Sequence, residues 1–102
     1  MNIAVIGDYE SLQYKDLLQT VKMHFPADKV LDLSLIKCAD EKRAEKLRQE
    51  EIKTCIIFIY DYKWEYDMKI RRDISYALKA GKDPYFYSAG KFYTGEMRNH
   101  SI

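Results

Sequence analysis

Hydrophobic positions along this chain change period several times. Asn2 to Ile6 (NIAVI) is a short apolar run closed by Gly7 and Asp8. It reads as the first, central strand of a sheet, with Gly7 permitting a tight turn or a close approach of backbone to ligand. Tyr14, Leu17, Leu18, Val21 and Phe25 then fall at i, i+3, i+4, i+7 and i+11, which predicts a helix that Ser11 can cap and Pro26 ends. Lys29 to Ile36 (KVLDLSLI) alternates apolar and polar residues, the period of an edge strand with Asp32 and Ser34 outward. Asp40 to Ile52 is a charged helix with a thin apolar face of Ala44, Leu47 and Ile52.

The best-patterned stretch is Cys55 to Lys82. Ile56, Ile57, Phe58 and Ile59 form an unbroken apolar run, as in a strand covered on both faces. Ile70, Ile74, Ala77 and Leu78 then mark one helical face, with Asp67 an N-cap, Gly81 just past the end and Pro84 beyond. Tyr85 to Tyr87 is a further short strand, and Ser88 to Ile102 reads as a loop with a short element and a tail.

Alternation of strands and helices predicts an α/β fold. The expected architecture is one domain over residues 1–102, a small three-layer Rossmann- or flavodoxin-like unit. Its parallel sheet has about four strands in the order 2-1-3-4. Ligands of such sheets bind outside the carboxyl ends of the strands, beside the switch point between strands 1 and 3. That rule selects the residues after Ile6, after Ile59 and after Tyr87.

Composition narrows the classes. Lys and Arg number 17 against 16 Asp and Glu, so a nucleic-acid partner is not expected. No apolar run approaches membrane-spanning length, and no membrane partner is expected. Cys38 and Cys55 have neither CxxC nor zinc-ligand spacing, which fits free thiols in a reducing, cytoplasmic setting. No metal and no cofactor are expected. Nine tyrosines in 102 residues suit a pocket or an interface between copies of the chain, and a homo-oligomer is expected.

Three carboxylates fall near the selected edge: Asp8 after the first strand, Asp61 after the third, and Asp73 on the third helix. Tyr9, Tyr60, Tyr62, Trp64 and Tyr66 lie around them in sequence. Rings that stack and carboxylates that accept from hydroxyls suit a base or a sugar. A receiver-like reading, with Asp61 as phospho-acceptor, lacks the acid pair after strand 1.

The segment DISYALKAGKDPYFY resembles one written E-[IL]-G-[YR]-A-x-A-x-x-K-P in the nucleoside 2-deoxyribosyltransferase superfamily. As in that family, a strand ending in an acid (IIFIYDY) precedes it, and NIAVIGDYES matches the position of the family's first strand and loop. The resemblance implies that Asp73 is a nucleophile attacking the anomeric carbon of a 2′-deoxynucleoside, and that Asp61 helps bind or protonate the leaving base. It places Tyr9 in the substrate pocket, and Gly7, Asp8, Tyr62 and Trp64 are the further candidate substrate contacts. Chemistry of that kind follows retaining glycosidases through a covalent sugar ester. Asp73 is one methylene shorter than the family's glutamate, Ser75 stands at its glycine, and KWEYDMKIRR replaces a glycine-containing loop. Those departures motivate an alternative: an inactive nucleotide-binding or protein-interaction module on the same fold.

Overall fold

The structure is a computed structural model that describes residues 1–94. Among these, strands and helices alternate as β1 (Asn2–Val5), α1 (Leu12–His24), β2 (Lys29–Asp32), α2 (Glu41–Lys53), β3 (Ile57–Asp61), α3 (Met68–Lys79), β4 (Asp83–Ser88) and β5 (Lys91–Thr94). They form a compact α/β unit around one sheet, ordered β2-β1-β3-β4-β5. Neighbours from β2 to β4 are parallel, and β5 pairs antiparallel with β4. The expected count of about four strands, the order 2-1-3-4 and the all-parallel sheet are therefore corrected by a fifth strand. Residues 95–102, where the expected tail falls, lie outside the described residues.

The hairpin that adds β5 is built from local chemistry that hydrophobic periodicity does not register. Ser88 pairs with Lys91, which leaves Ala89 and Gly90 as a two-residue turn. Both have positive φ, 49° and 81°. A mirror-image turn of this kind matches the twist of its flanking strands, and it requires positive φ at both central positions. Gly90 adopts that freely, whereas Ala89 carries a Cβ into the left-handed region.

Right-handed crossovers place α1 on one face of the sheet and α2 with α3 on the other, because the winding direction reverses at β1. Consistent with that, α2 and α3 pack against each other. The core runs between the layers, with Ile3, Val5, Phe58 and Ile59 of the central strands fully buried. Tyr14 of α1 fastens one side: its hydroxyl donates to Val5 O at 2.9 Å and accepts from Leu33 N at 3.1 Å. One buried hydroxyl thus ties α1, β1 and the end of β2 together.

Helix ends follow their sequence signals. Ser11 accepts from Tyr14 N, Asp40 from Lys42 N, and Asp67 from Lys69 N and Ile70 N. At the end of α3, Lys82 N bonds to Ala77 O and Gly81 N to Leu78 O, with Gly81 at φ 78°. This paired arrangement satisfies carbonyls that the helix leaves open.

Several expected boundaries and faces move. The strand expected over Lys29 to Ile36 stops at Asp32, whose side chain accepts from Ser34 N and turns the chain into a 3-10 turn, Leu33–Leu35. Ile56 is 56 % exposed, since β3 begins one residue later. On α2 the inward position is Arg48 rather than Leu47, and on α3 it is Asp73 rather than Leu78.

Replacing Ala89 by asparagine, which tolerates the left-handed region, is expected to stabilise the fold by about 1 kcal/mol. Urea unfolding of Ala89→Asn checks this, and an unchanged or lower midpoint contradicts the turn assignment.

Candidate functional site

Two charged residues stand on apolar helix stripes. Arg48 lies four residues after Ala44 and four before Ile52, and Asp73 lies three after Ile70 and four before Ala77. That spacing puts each on the inward face of its helix. Since α2 and α3 are neighbours on one face of the sheet, the two meet. Arg48 Nε donates to Asp73 Oδ2 at 2.9 Å, with the residues 6 % and 1 % exposed. Arg48 Nη2 also donates to Glu41 Oε1 at 3.2 Å. From the loop after β1, the Tyr9 hydroxyl donates to the same Asp73 Oδ2 at 2.8 Å, and the guanidinium carbon lies 5.0 Å from the Tyr9 ring centroid. Among the described residues Asp73 Oδ1 is buried without a hydrogen-bond partner.

The group borders a cleft of about 740 Å³. Its walls come from the loops after β1 and β2, from α2, and from the first turns of α3. Gly7, Asp8, Tyr9, Asp32, Arg48 and Asp73 are among the residues that line it. The cleft therefore opens at the carboxyl edge of the sheet, but toward β2. The crevice expected between β1 and β3 is filled by Trp64. A Cβ on Gly7 would lie 2.2 Å from the Trp64 ring, so the glycine makes room for an indole.

The candidate residues separate accordingly. Gly7, Asp8, Tyr9 and Asp73 line the cleft, while Asp61, Tyr62 and Trp64 are not among its lining residues. Asp61 instead caps the 3-10 turn Tyr62–Trp64 by accepting from Lys63 N at 3.0 Å, and its other oxygen lies 4.0 Å from Lys63 Nζ. Tyr62 packs on Phe86 with centroids 5.2 Å apart. Trp64 is buried over Gly7, Tyr60 is fully buried, and Tyr66 is 78 % exposed. The expected aromatic rim therefore does not form; Tyr9 is the one ring of that set lining the cleft.

Arg48 and Glu41 were not singled out by sequence, because DEKRAEKLRQEEI offers charge at nearly every position. The available signal was the four-residue spacing from Ala44 to Arg48 to Ile52.

Burial sets the electrostatics. It pushes the Asp73 carboxyl above its ordinary value, against the pull of the Tyr9 hydrogen bond and the Arg48 charge. Burial works most strongly against the Arg48 charge, but Asp73, Tyr9 and Glu41 together outweigh it and the guanidinium is held more firmly protonated. The Tyr9 phenol lies well above 10.0, first through burial and then through the negative charge of Asp73. Burial and Asp32 push Tyr14 up as well.

Chemically the arrangement is a carboxylate under a polar cleft, with one oxygen anchored twice. Among the described residues no group of three His, Cys, Asp or Glu side chains could hold a metal ion, and no helix is long and apolar enough to cross a membrane. No family model, curated protein or solved structure matches the chain.

Breaking a buried pair from one side strands the other charge, which costs about 3–5 kcal/mol. Arg48→Met is expected to lose that much in urea unfolding, and the Arg48→Met/Asp73→Leu double variant to recover most of it. Losses that simply add would show that the two side chains are not coupled.

Alkaline pH offers a second check. Tyr9 and Tyr14 give up their protons less readily folded than unfolded. Above pH ~10 the unfolded chain releases them and the native chain retains them, so stability falls as pH rises. Tyr9→Phe is expected to lose stability less steeply there than the wild type; parallel curves would remove Tyr9 as a contributor.

Proposed function

We propose that the chain handles a nucleoside or nucleotide in the cleft beside Tyr9 and Asp73, and that Asp73 acts on the sugar. The reading is carried by one observation. The two positions that the deoxyribosyltransferase resemblance assigns to pocket and nucleophile, 64 residues apart in sequence, are joined by a 2.8 Å hydrogen bond at the cleft. The strand order β2-β1-β3-β4-β5, that of a doubly wound sheet with its last strand reversed, supports the same architecture.

In this reading the 2′-deoxynucleoside enters between the loops after β1 and β2. Asp73 Oδ1, which the packing around it must first uncover, forms a bond to C1′ of the sugar. The C1′–N bond breaks with its electron pair on the departing base, which takes up a proton. A second base or water then attacks C1′ and gives up its proton to solvent, while the C1′–Oδ1 bond breaks and Asp73 leaves as a carboxylate. Asp61, as cap of its own turn, does not serve the leaving base, so that proton comes from elsewhere in the cleft or from water. A reducing cytoplasmic setting fits the free thiols Cys38 and Cys55. Self-association through exposed tyrosines such as Tyr66 belongs to the same proposal.

A second reading has its own support. Asp73 is 1 % exposed and its Oδ2 is engaged twice, as suits a carboxylate that shapes a binding site. The chain then binds a nucleoside-like ligand without turning it over.

One experiment separates the two. The protein is incubated with each 2′-deoxynucleoside and a different free base, and the products are resolved by chromatography. Base exchange or release that disappears in Asp73→Asn supports catalysis. A thermal shift with deoxynucleosides and no product supports the binding module. Neither response sinks both.

A further inference from the structure

The contacts of Asp73 single out Arg48. Its own helix surrounds Asp73 with Ile70, Ile74 and Ala77, all buried. The loop after β1 contributes Tyr9, whose hydroxyl donates to Oδ2. Helix α2 contributes Arg48, whose Nε donates to the same oxygen, and Glu45, whose like charge disfavours ionisation of Asp73. Glu41 faces Arg48 from the first turn of α2, and Lys69 of α3 stands 3.8 Å from Glu41. Arg48 thus supplies the positive charge bonded directly to Asp73. A carboxyl so deeply buried takes up a proton unless such a charge is held beside it.

We propose that Arg48 is a positioning residue, which keeps Asp73 ionised and fixes its carboxyl plane so that Oδ1 is the oxygen left for a ligand. The geometry favours arginine over lysine. Nε is part of a rigid planar fork whose Nη2 is anchored on Glu41. A lysine ammonium carries the charge but turns freely on its stem. The role of Oδ1 toward a ligand rests on the cleft being the binding site proposed above; the control of Asp73 ionisation does not.

The test is a carboxyl titration by carbon NMR on protein labelled at aspartate, with Asp73→Asn assigning the signal. In Arg48→Met the Asp73 carboxyl is expected to titrate about one pH unit or more above the wild type, with Arg48→Lys in between. Identical titrations in wild type and Arg48→Met overturn the proposal. Should Arg48→Met fail to fold, the wild type itself decides. Its Arg48 Nε–H resonance is expected to exchange slowly with solvent and to shift in step with Asp73. A resonance that exchanges freely, or ignores that titration, overturns the proposal. Where deoxynucleoside turnover is found, Arg48→Lys is expected to lower kcat and move the acid limb of the pH profile to higher pH, with KM little changed. A chain that turns over nothing still yields the titration, so the catalytic reading and the role of Arg48 fail separately.

Discussion

An ion pair buried between two helices is the constraint on which the rest of this structure depends. Taking a guanidinium and a carboxylate out of water costs several kcal/mol per ion, and only close geometry and further hydrogen bonds offset that. Here the Nε–Oδ2 contact at 2.9 Å supplies the first, and Tyr9 and Glu41 supply the second. The pair therefore joins α2 to α3 across their packed faces. The loop after β1 is tied to the same point by the Tyr9 hydroxyl, which donates to Asp73 Oδ2. Three segments distant in sequence meet at this point.

The site inherits its form from that constraint. The cleft lies where the loops after β1 and β2 face the charged group on α2 and α3. Trp64 closes the alternative crevice between β1 and β3 by lying on Gly7, which has no Cβ to exclude it. The same indole accounts for the separation of the two acids of the third unit. Asp73 sits under the cleft, while Asp61, one residue before the turn that carries Trp64, is spent on capping that turn.

Much of the fold was legible in the sequence because local rules decided it. The stripe from Tyr14 to Val21, the caps Ser11, Asp40 and Asp67, and the left-handed Gly81 each act within a few residues. Expectations failed where a local pattern had two readings. LDLSL alternates like a strand, yet Asp32 accepts from Ser34 N and bends it away. Ala89–Gly90 forms a hairpin turn, though no hydrophobic period announces it. Leu47 and Leu78 looked inward because they are apolar, but the packed faces pass through Arg48 and Asp73, which lie at other angles around their helices. A hydrophobic count cannot find a face whose central residue is charged.

By itself, the sequence determined the alternation of strands and helices, the helix ends, and the presence of Asp73 on the third helix. These rest on spacing and capping, whose physics is short-ranged. Only the tertiary structure decided that Arg48 partners Asp73, that Tyr9 completes the group, and that Asp61 and Trp64 stand apart from the cleft. A charge on one helix carries no record of which opposite charge will meet it. That is settled by the order of strands and the winding of helices over the sheet, which bring together positions 25 and 64 residues apart.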